Sequence, residues 1–268
     1  MKRFWTELSA TELELAAPAD AIAILPVAAV EQHGPHLPLG TDMFIAEGYI
    51  AAILPLLPAA PVFFLPIQSV GASAEHRSFA GTLSLAPETA LAVWGEIVAD
   101  LSRAGVRRLV VLNTHGGNVP VIDLLARRAR ERHAMLAVTC SMHRLGYPEG
   151  VFSDAERAHG IHGGEIETAL MLVFRPDLVD MTKAADFRPW STEMERTFTR
   201  LRANHPVGLG WMSEDLHPTG AMGNAARATA ESGRVAVEHG ARAFIDLLCD
   251  VARFDLARFG SDPDRLSR

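Results

Sequence analysis

Groups able to hold a divalent cation are concentrated in a few short stretches of this chain. The segment 31-EQHGPHLPLGTD-42 carries Glu31, His33, His36 and Asp42 around a Leu-Pro-Leu-Gly turn. A second stretch, 114-THGGN-118, supplies His115, and a third, 159-HGIHGGEIE-167, supplies His162, Glu165 and Glu167. Carboxylates and imidazoles together are the ligand set of zinc, manganese or iron. Glu31 and His33 stand two apart, so in extended chain they point the same way and can reach one site. Asp42 comes back after the turn, and a central carboxylate can give one oxygen to each of two ions. A single such residue could equally be a cap or a surface group. The conjunction, near strand ends and glycine turns, is what points to a metal centre, since no compact H-E-x-x-H signature is present.

The apolar pattern supplies elements to position these groups. The run 21-AIAILPVAAV-30 reads as a buried strand ending where Glu31 begins, with a helix from about Asp42 to Ile53. Then 62-VFFLPI-67 reads as a strand and 88-ETALAVWGEIVADLSRAG-105 as an amphipathic helix with a glycine cap. The strand 107-RRLVVLN-113, a tight glycine loop over 114–118, a helix over Val119–His133 and the strand 134-AMLAVTC-140 form a β-loop-α-β unit. Further helices are expected over 165–174 and about Ala225–Val251. Continuous apolar strands of this kind belong to a parallel sheet covered on both faces. The fold class expected is therefore α/β: one domain, a three-layer α/β/α sandwich with a mostly parallel central sheet. In such sheets the functional crevice lies at the carboxyl ends of the strands, where Glu31, His33 and His115 all fall.

Composition excludes several function classes. With 49% hydrophobic residues among 268, the chain can bury a large core. A net charge of −7 offers no basic surplus to neutralise phosphates, so nucleic acid is not an expected partner. The Arg-rich run 127-RRARER-132 reads as the solvated face of a helix. Residues 48–67 lack charges, but Pro55, Pro58, Pro61 and Pro66 interrupt them, so no membrane span is expected. Cys140 and Cys249 read as reduced core thiols, and the N-terminal residues carry no secretory leader pattern, so a cytoplasmic protein is expected.

The ordered motifs E-Q-H-G-P-H-L-P-L-G-T-D, G-A-S-A-E-H-R-S-F-A-G-T (71–82), N-T-H-G-G-N and H-G-G-E-I-E-T are similar to those of the creatininase (creatinine amidohydrolase) family, over roughly residues 20 to 230. The resemblance implies a binuclear metal hydrolase that assembles as a homohexamer, a trimer of dimers. Two divalent ions per subunit would be bound, zinc foremost, with manganese or iron as alternatives. By resemblance Glu31 and His115 would bind one ion, His33 the other, and Asp42 would bridge them. Creatininase itself carries a Glu two residues after the histidine matching His115, where this chain has Gly117; Glu165 looks like the replacement. Residues two apart on a helix point about 200° from each other, so Glu165 and Glu167 should not share an ion. Glu165, nearest the glycine turn and three residues from His162, is expected on the metal. Glu167 is expected either to orient a histidine or to serve as a helix-start carboxylate.

Two ions would share a hydroxide formed near pH 7 and polarise a substrate carbonyl. His162, matching the family's catalytic histidine, is expected to protonate the leaving atom. Ser73, His76, Asn118 and His36 are weaker candidates for substrate contact, and Asn113 for a supporting hydrogen bond. The expected reaction is C–N hydrolysis of a small cyclic amide, formamide or related compound. C–C cleavage of a cyclic ketone such as a keto-cyclitol, and a catalytically silent metal- or metabolite-binding protein, are the alternatives. Creatininase has a tryptophan four residues before the histidine matching His162, where this chain has Ala158; that departure and Gly117 argue against creatinine itself. The segment 205–225, with Trp211 and His217, is expected to border the pocket.

Overall fold

The computed structural model describes residues 1–16 and 19–259. Its centre is a four-stranded parallel sheet in the order β2-β1-β3-β4, with β1 Ile22–Val27, β2 Val62–Phe64, β3 Arg108–Asn113 and β4 Leu136–Ser141. After a short α1 (Ala10–Leu15), the helices are α2 (Thr41–Ile53), α3 (Pro87–Arg103), α4 (Val119–His133), α5 (Asp154–His159), α6 (Glu165–Phe174), the short α7 (Ser191–Thr197) and α8 (Ser213–Leu216), and α9 (Ala230–Arg253).

Strand side chains alternate between faces, and the two cores follow that alternation. Ile22, Ile24, Val110 and Leu112 pack with Ile45 and Tyr49 of α2, Leu170 of α6 and Phe244 of α9. Ala23, Leu25, Leu109 and Val111 pack on the other side with Trp94 and Val98 of α3 and Ile122 and Leu125 of α4. Helices thus cover both faces, and the three-layer α/β sandwich stands. Strands buried on both sides need apolar residues at every position, which explains why β1 reads as an unbroken hydrophobic run.

Several boundaries move. The first strand closes at Val27, and the chain runs on through an isolated bridge at Val30 to deliver Glu31. Residues 225–227 form a 3-10 turn, so the last helix starts at Ala230, where the Thr229 hydroxyl accepts from the Ser232 N–H. The proline-rich stretch is, as read, a helix end, a 3-10 turn and a strand, and no described helix is long and apolar enough to cross a membrane. Arg127, Arg128 and Arg132 are solvent-exposed on α4. Cys140 is buried and free, whereas Cys249 is exposed on α9 rather than in the core.

Candidate metal centre

The carboxyl edge of the sheet gathers the polar groups. Glu31 leaves the β1 strand end, Asp42 opens α2, and His115 follows β3 by two residues. The Asn113 side chain clamps that last turn, donating to the His115 carbonyl (2.6 Å) and accepting from its N–H (3.2 Å). Asp42 divides its carboxylate: Oδ1 lies 3.3 Å from His33 Nε2 and Oδ2 lies 3.3 Å from His115 Nδ1. Glu31 Oε1 is 3.2 Å from His115 Nδ1 and 4.0 Å from His33 Nε2. Ser73 donates its hydroxyl proton to Glu31 Oε2, leaving Oε1 to face the cluster.

Glu31 Oε1, His33 Nε2 and both Asp42 oxygens are buried without a hydrogen-bond partner. Each such orphan costs on the order of 1–3 kcal/mol if nothing compensates it, so a convergent set of four fits cations. The histidines are prepared for that role. His33 Nδ1 donates to the Glu31 carbonyl (3.1 Å), and His115 Nε2 donates to the Ala72 carbonyl (2.9 Å). A carbonyl can only accept, so in each neutral ring the nitrogen facing the cluster bears the lone pair. Without ions, protons are drawn into the same space. Burial disfavours a charged His33, but the carboxylates of Asp42, Glu167 and Glu31 together outweigh it and raise the ring to about 9. His115 is likewise raised against burial, chiefly by Glu31. Asp42 is held down to about 2 despite its burial, by His33 and His115.

In the third stretch it is Glu167, and not the expected Glu165, that lies beside the other groups. Glu167 Oε2 lies 3.9 Å from His33 Nε2, with burial raising its carboxyl to about 7. Glu165 points the other way: its backbone N–H donates to Glu156 Oε1 (2.7 Å), and its carboxylate lies 3.7 Å from Arg227 in a separate cavity. His162 sits in extended backbone bridged to Met222, outside α6, so the three-residue step from His162 to Glu165 carries no helical phase.

His162 Nδ1 and His76 Nε2 both approach Glu31 Oε1, each at 3.5 Å, and the two rings stack with centroids 4.1 Å apart. His162 Nε2 donates to the Gln32 carbonyl (2.5 Å), so the nitrogen facing the cluster is an acceptor in the neutral ring. His162 was expected as a proton donor; in this geometry it must first gain a proton. Burial pushes it well below the usual histidine range.

Two other expected contact residues bond groups of the protein itself. Asn118 is fully buried and holds backbone: it accepts from Ala72 N–H (2.9 Å) and donates to the Ala28 carbonyl (3.1 Å), so it steadies the segment that orients His115. His36 bonds the Thr168 hydroxyl (2.9 Å) and stacks on Phe187. At Gly117 an added Cβ would lie 2.3 Å from Glu75 Oε1 and 2.5 Å from His115 Nε2, so no side chain fits there. Glu75, 3.6 Å from His115 Nε2, was not anticipated from the sequence, and neither was Gln32. Only the polarity of Gln32 between two ligands hinted at it.

Beside the cluster opens a cavity of about 740 Å³, whose walls include Ile45, Tyr49, Thr114, Tyr147, Ala158, Ile161 and Glu167 with Arg157, Arg202 and His205. From the 205–225 segment only His205 and Pro206 line it. Trp211 instead donates its indole N–H to the Ala203 carbonyl (2.9 Å), and His217 bonds Thr219.

The family model described as Creatininase: Creatinine amidohydrolase matches residues 6–248. A creatinine amidohydrolase of Pseudomonas putida is 31% identical, covering 69% of this chain and 77% of its own. A mycofactocin precursor peptide peptidase of Mycobacterium tuberculosis is also 31% identical, covering 96% and 92%. A solved creatininase mutant described as of Zn-Zn type superposes with a TM-score of 0.73 at 26% identity, over 95% of this chain and 100% of its own. With a cluster of groups that could hold metal at the sheet edge and a family model matching nearly its whole length, the chain belongs to the creatininase family and is a metal-dependent amidohydrolase.

Proposed function

We propose that the protein hydrolyses the C–N bond of an amide larger than creatinine, using two divalent cations held by Glu31, His33, Asp42, His115 and Glu167. The observation carrying the two-ion reading is the divided Asp42 carboxylate, one oxygen beside each histidine and neither otherwise bonded. Such cations, when bound, render a water nucleophilic at neutral pH and polarise a carbonyl. The protein's own part is to hold that water's neighbours and move its proton. His162 Nδ1 accepts the proton released as the water oxygen bonds the carbonyl carbon. It then returns the proton to the nitrogen as the C–N bond breaks, leaving a carboxylic acid and an amine. Zinc is the favoured ion, since carboxylate and imidazole ligands suit it.

The size of the substrate is read from the cavity. A space of about 740 Å³ with aromatic and aliphatic walls and two arginines at its edge suits an extended amide bearing apolar groups and a negative charge, such as a peptide end. The near-full-length similarity to a peptide peptidase supports that reading over a compact cyclic amide or formamide. Assembly into a hexamer is proposed on the family resemblance; sedimentation should then show six 29.0-kDa chains moving together.

The test is chelation, reconstitution with zinc or manganese, and a panel of creatinine, an N-formyl aminopyrimidine, short peptides ending in apolar or aromatic residues, and a cyclic ketone. Metal-dependent release of an amine from a peptide is the expected result. Turnover of the ketone alone would make C–C cleavage the reaction. Metal uptake with no turnover across the panel would favour a silent binding protein.

A further inference from the structure

Every polar atom of Gln32 is engaged, and the pattern fixes the protons on two histidines at once. Its backbone N–H donates to the Thr82 hydroxyl (3.1 Å), and its backbone carbonyl takes the proton of His162 Nε2. In the side chain, Oε1 accepts from the Gly34 N–H (2.8 Å), while Nε2 donates to the Gly220 carbonyl (3.0 Å) and lies 2.8 Å from His76 Nδ1. One end of the amide thus faces an obligate donor and the other an obligate acceptor. It cannot be flipped without losing both bonds. The space is closed as well, since a Cβ at Gly220 would lie 2.3 Å from Gln32 Nε2.

With Gln32 Nε2 as a donor, His76 Nδ1 must accept, so the ring carries its proton on Nε2. That atom faces Glu31 Oε1 at 3.5 Å, and among the described residues it has no hydrogen-bond partner. The stacked neighbour, His162, presents the opposite valence to the same space: its Nδ1 is a bare acceptor. A donor and an acceptor side by side match the two ends of an amide group, whose oxygen accepts and whose nitrogen takes up a proton on cleavage.

We propose that His76 is a catalytic hydrogen-bond donor whose Nε2–H binds the substrate's carbonyl oxygen, and that Gln32 is the positioning residue that assigns the protons of His76 and His162 in opposite senses. This rests on the amide-hydrolase reading above. The donor stands where negative charge grows on that oxygen, and removal of one such donor in comparable sites costs roughly 10²–10³ in kcat.

The experiment is a long-range proton–nitrogen correlation on zinc-loaded protein labelled with ¹⁵N-histidine, the His76 signals being assigned by their loss in His76→Gln. His76 should be protonated on Nε2 in the wild type, and Gln32→Glu, which replaces a donor with an acceptor, should move that proton to Nδ1. A wild-type His76 protonated on Nδ1, or a Gln32→Glu ring still in the Nε2–H form, overturns the proposal whatever the enzyme's substrate proves to be. The second arm measures kcat per bound zinc on the best amide of the panel. His76→Leu should lose about 10²-fold or more, while His76→Gln, which keeps a donor near the Nε2 position, should stay within about tenfold of wild type. If His76→Leu merely binds less zinc and turns over normally per bound ion, His76 only steadies Glu31, and the catalytic assignment fails. If no panel compound is hydrolysed by the wild type, the hydrolase reading and with it the catalytic role fall, while the proton assignment is still decided by the spectra.

Discussion

At the scale of single residues, identical side-chain types do different work because each has one atom committed elsewhere. His33 and His115 spend one nitrogen on a backbone carbonyl and offer the other to the cluster; Glu31 spends one oxygen on Ser73. The same cluster competes between protons and cations. His33, raised to about 9, and His115, raised well above its ordinary range, are both protonated at neutral pH before an ion arrives. Coordination needs the neutral ring, so uptake must expel protons. The sign follows: raised values mean the competing protons are fully bound at low pH and leave as pH rises through about 9, so apparent zinc affinity should fall steadily from pH 8 to pH 6. Titration calorimetry in two buffers of different ionisation enthalpy should report at least about one proton released per chain at pH 7. A heat independent of the buffer would contradict the raised proton affinity of His33 and His115. Of the five proposed ligands, four were legible from type and spacing, because an extended strand exit and a post-strand loop aim them without further information.

At the scale of elements, the phase of α6 decides which acid faces His33 and the rest of the cluster. The helix limits, Glu165–Phe174, are legible in the sequence, but its rotation is set by packing Leu170 against the sheet-face core and by tying the preceding turn to Met222. That rotation turns Glu167 inward and Glu165 toward Arg227. Glu167→Gln should weaken binding of one ion by at least about tenfold, the low end of the roughly 10–100-fold that losing an outer partner of a metal ligand costs and a floor for a ligand itself. Glu165→Gln should retain both ions. Competitive titration with a zinc chelator separates the two, and a weakened Glu165→Gln beside an unaffected Glu167→Gln would reverse the assignment. The strands and helices themselves were readable for a physical reason: a sheet covered on both sides demands long apolar runs, and amphipathic helices show their buried stripe. The roles of Gln32, Asn118 and Glu75 were not, since each depends on a contact made 40 or more residues away.

At the scale of the whole molecule, the cluster joins the end of β1, the start of α2, the loop after β3 and the first turn of α6. Ions bound there cross-link segments that the unfolded chain keeps apart, so they should stabilise the native state by mass action. At a free zinc concentration about 100 times the dissociation constant the gain is about 2.7 kcal/mol. For a chain of this size that is a rise in Tm of roughly 5–10 °C, reversed by chelation. A scan unchanged by zinc would show that the native chain binds it no better than the unfolded chain does. The most direct test is elemental analysis of the purified, well-folded protein beside its Asp42→Asn variant after equilibration with zinc. About two ions per wild-type chain and a loss of both, or nearly both, in Asp42→Asn is the expected result. A folded wild type that takes up no divalent metal, or an Asp42→Asn variant that keeps its full complement, would contradict a binuclear centre organised around Asp42.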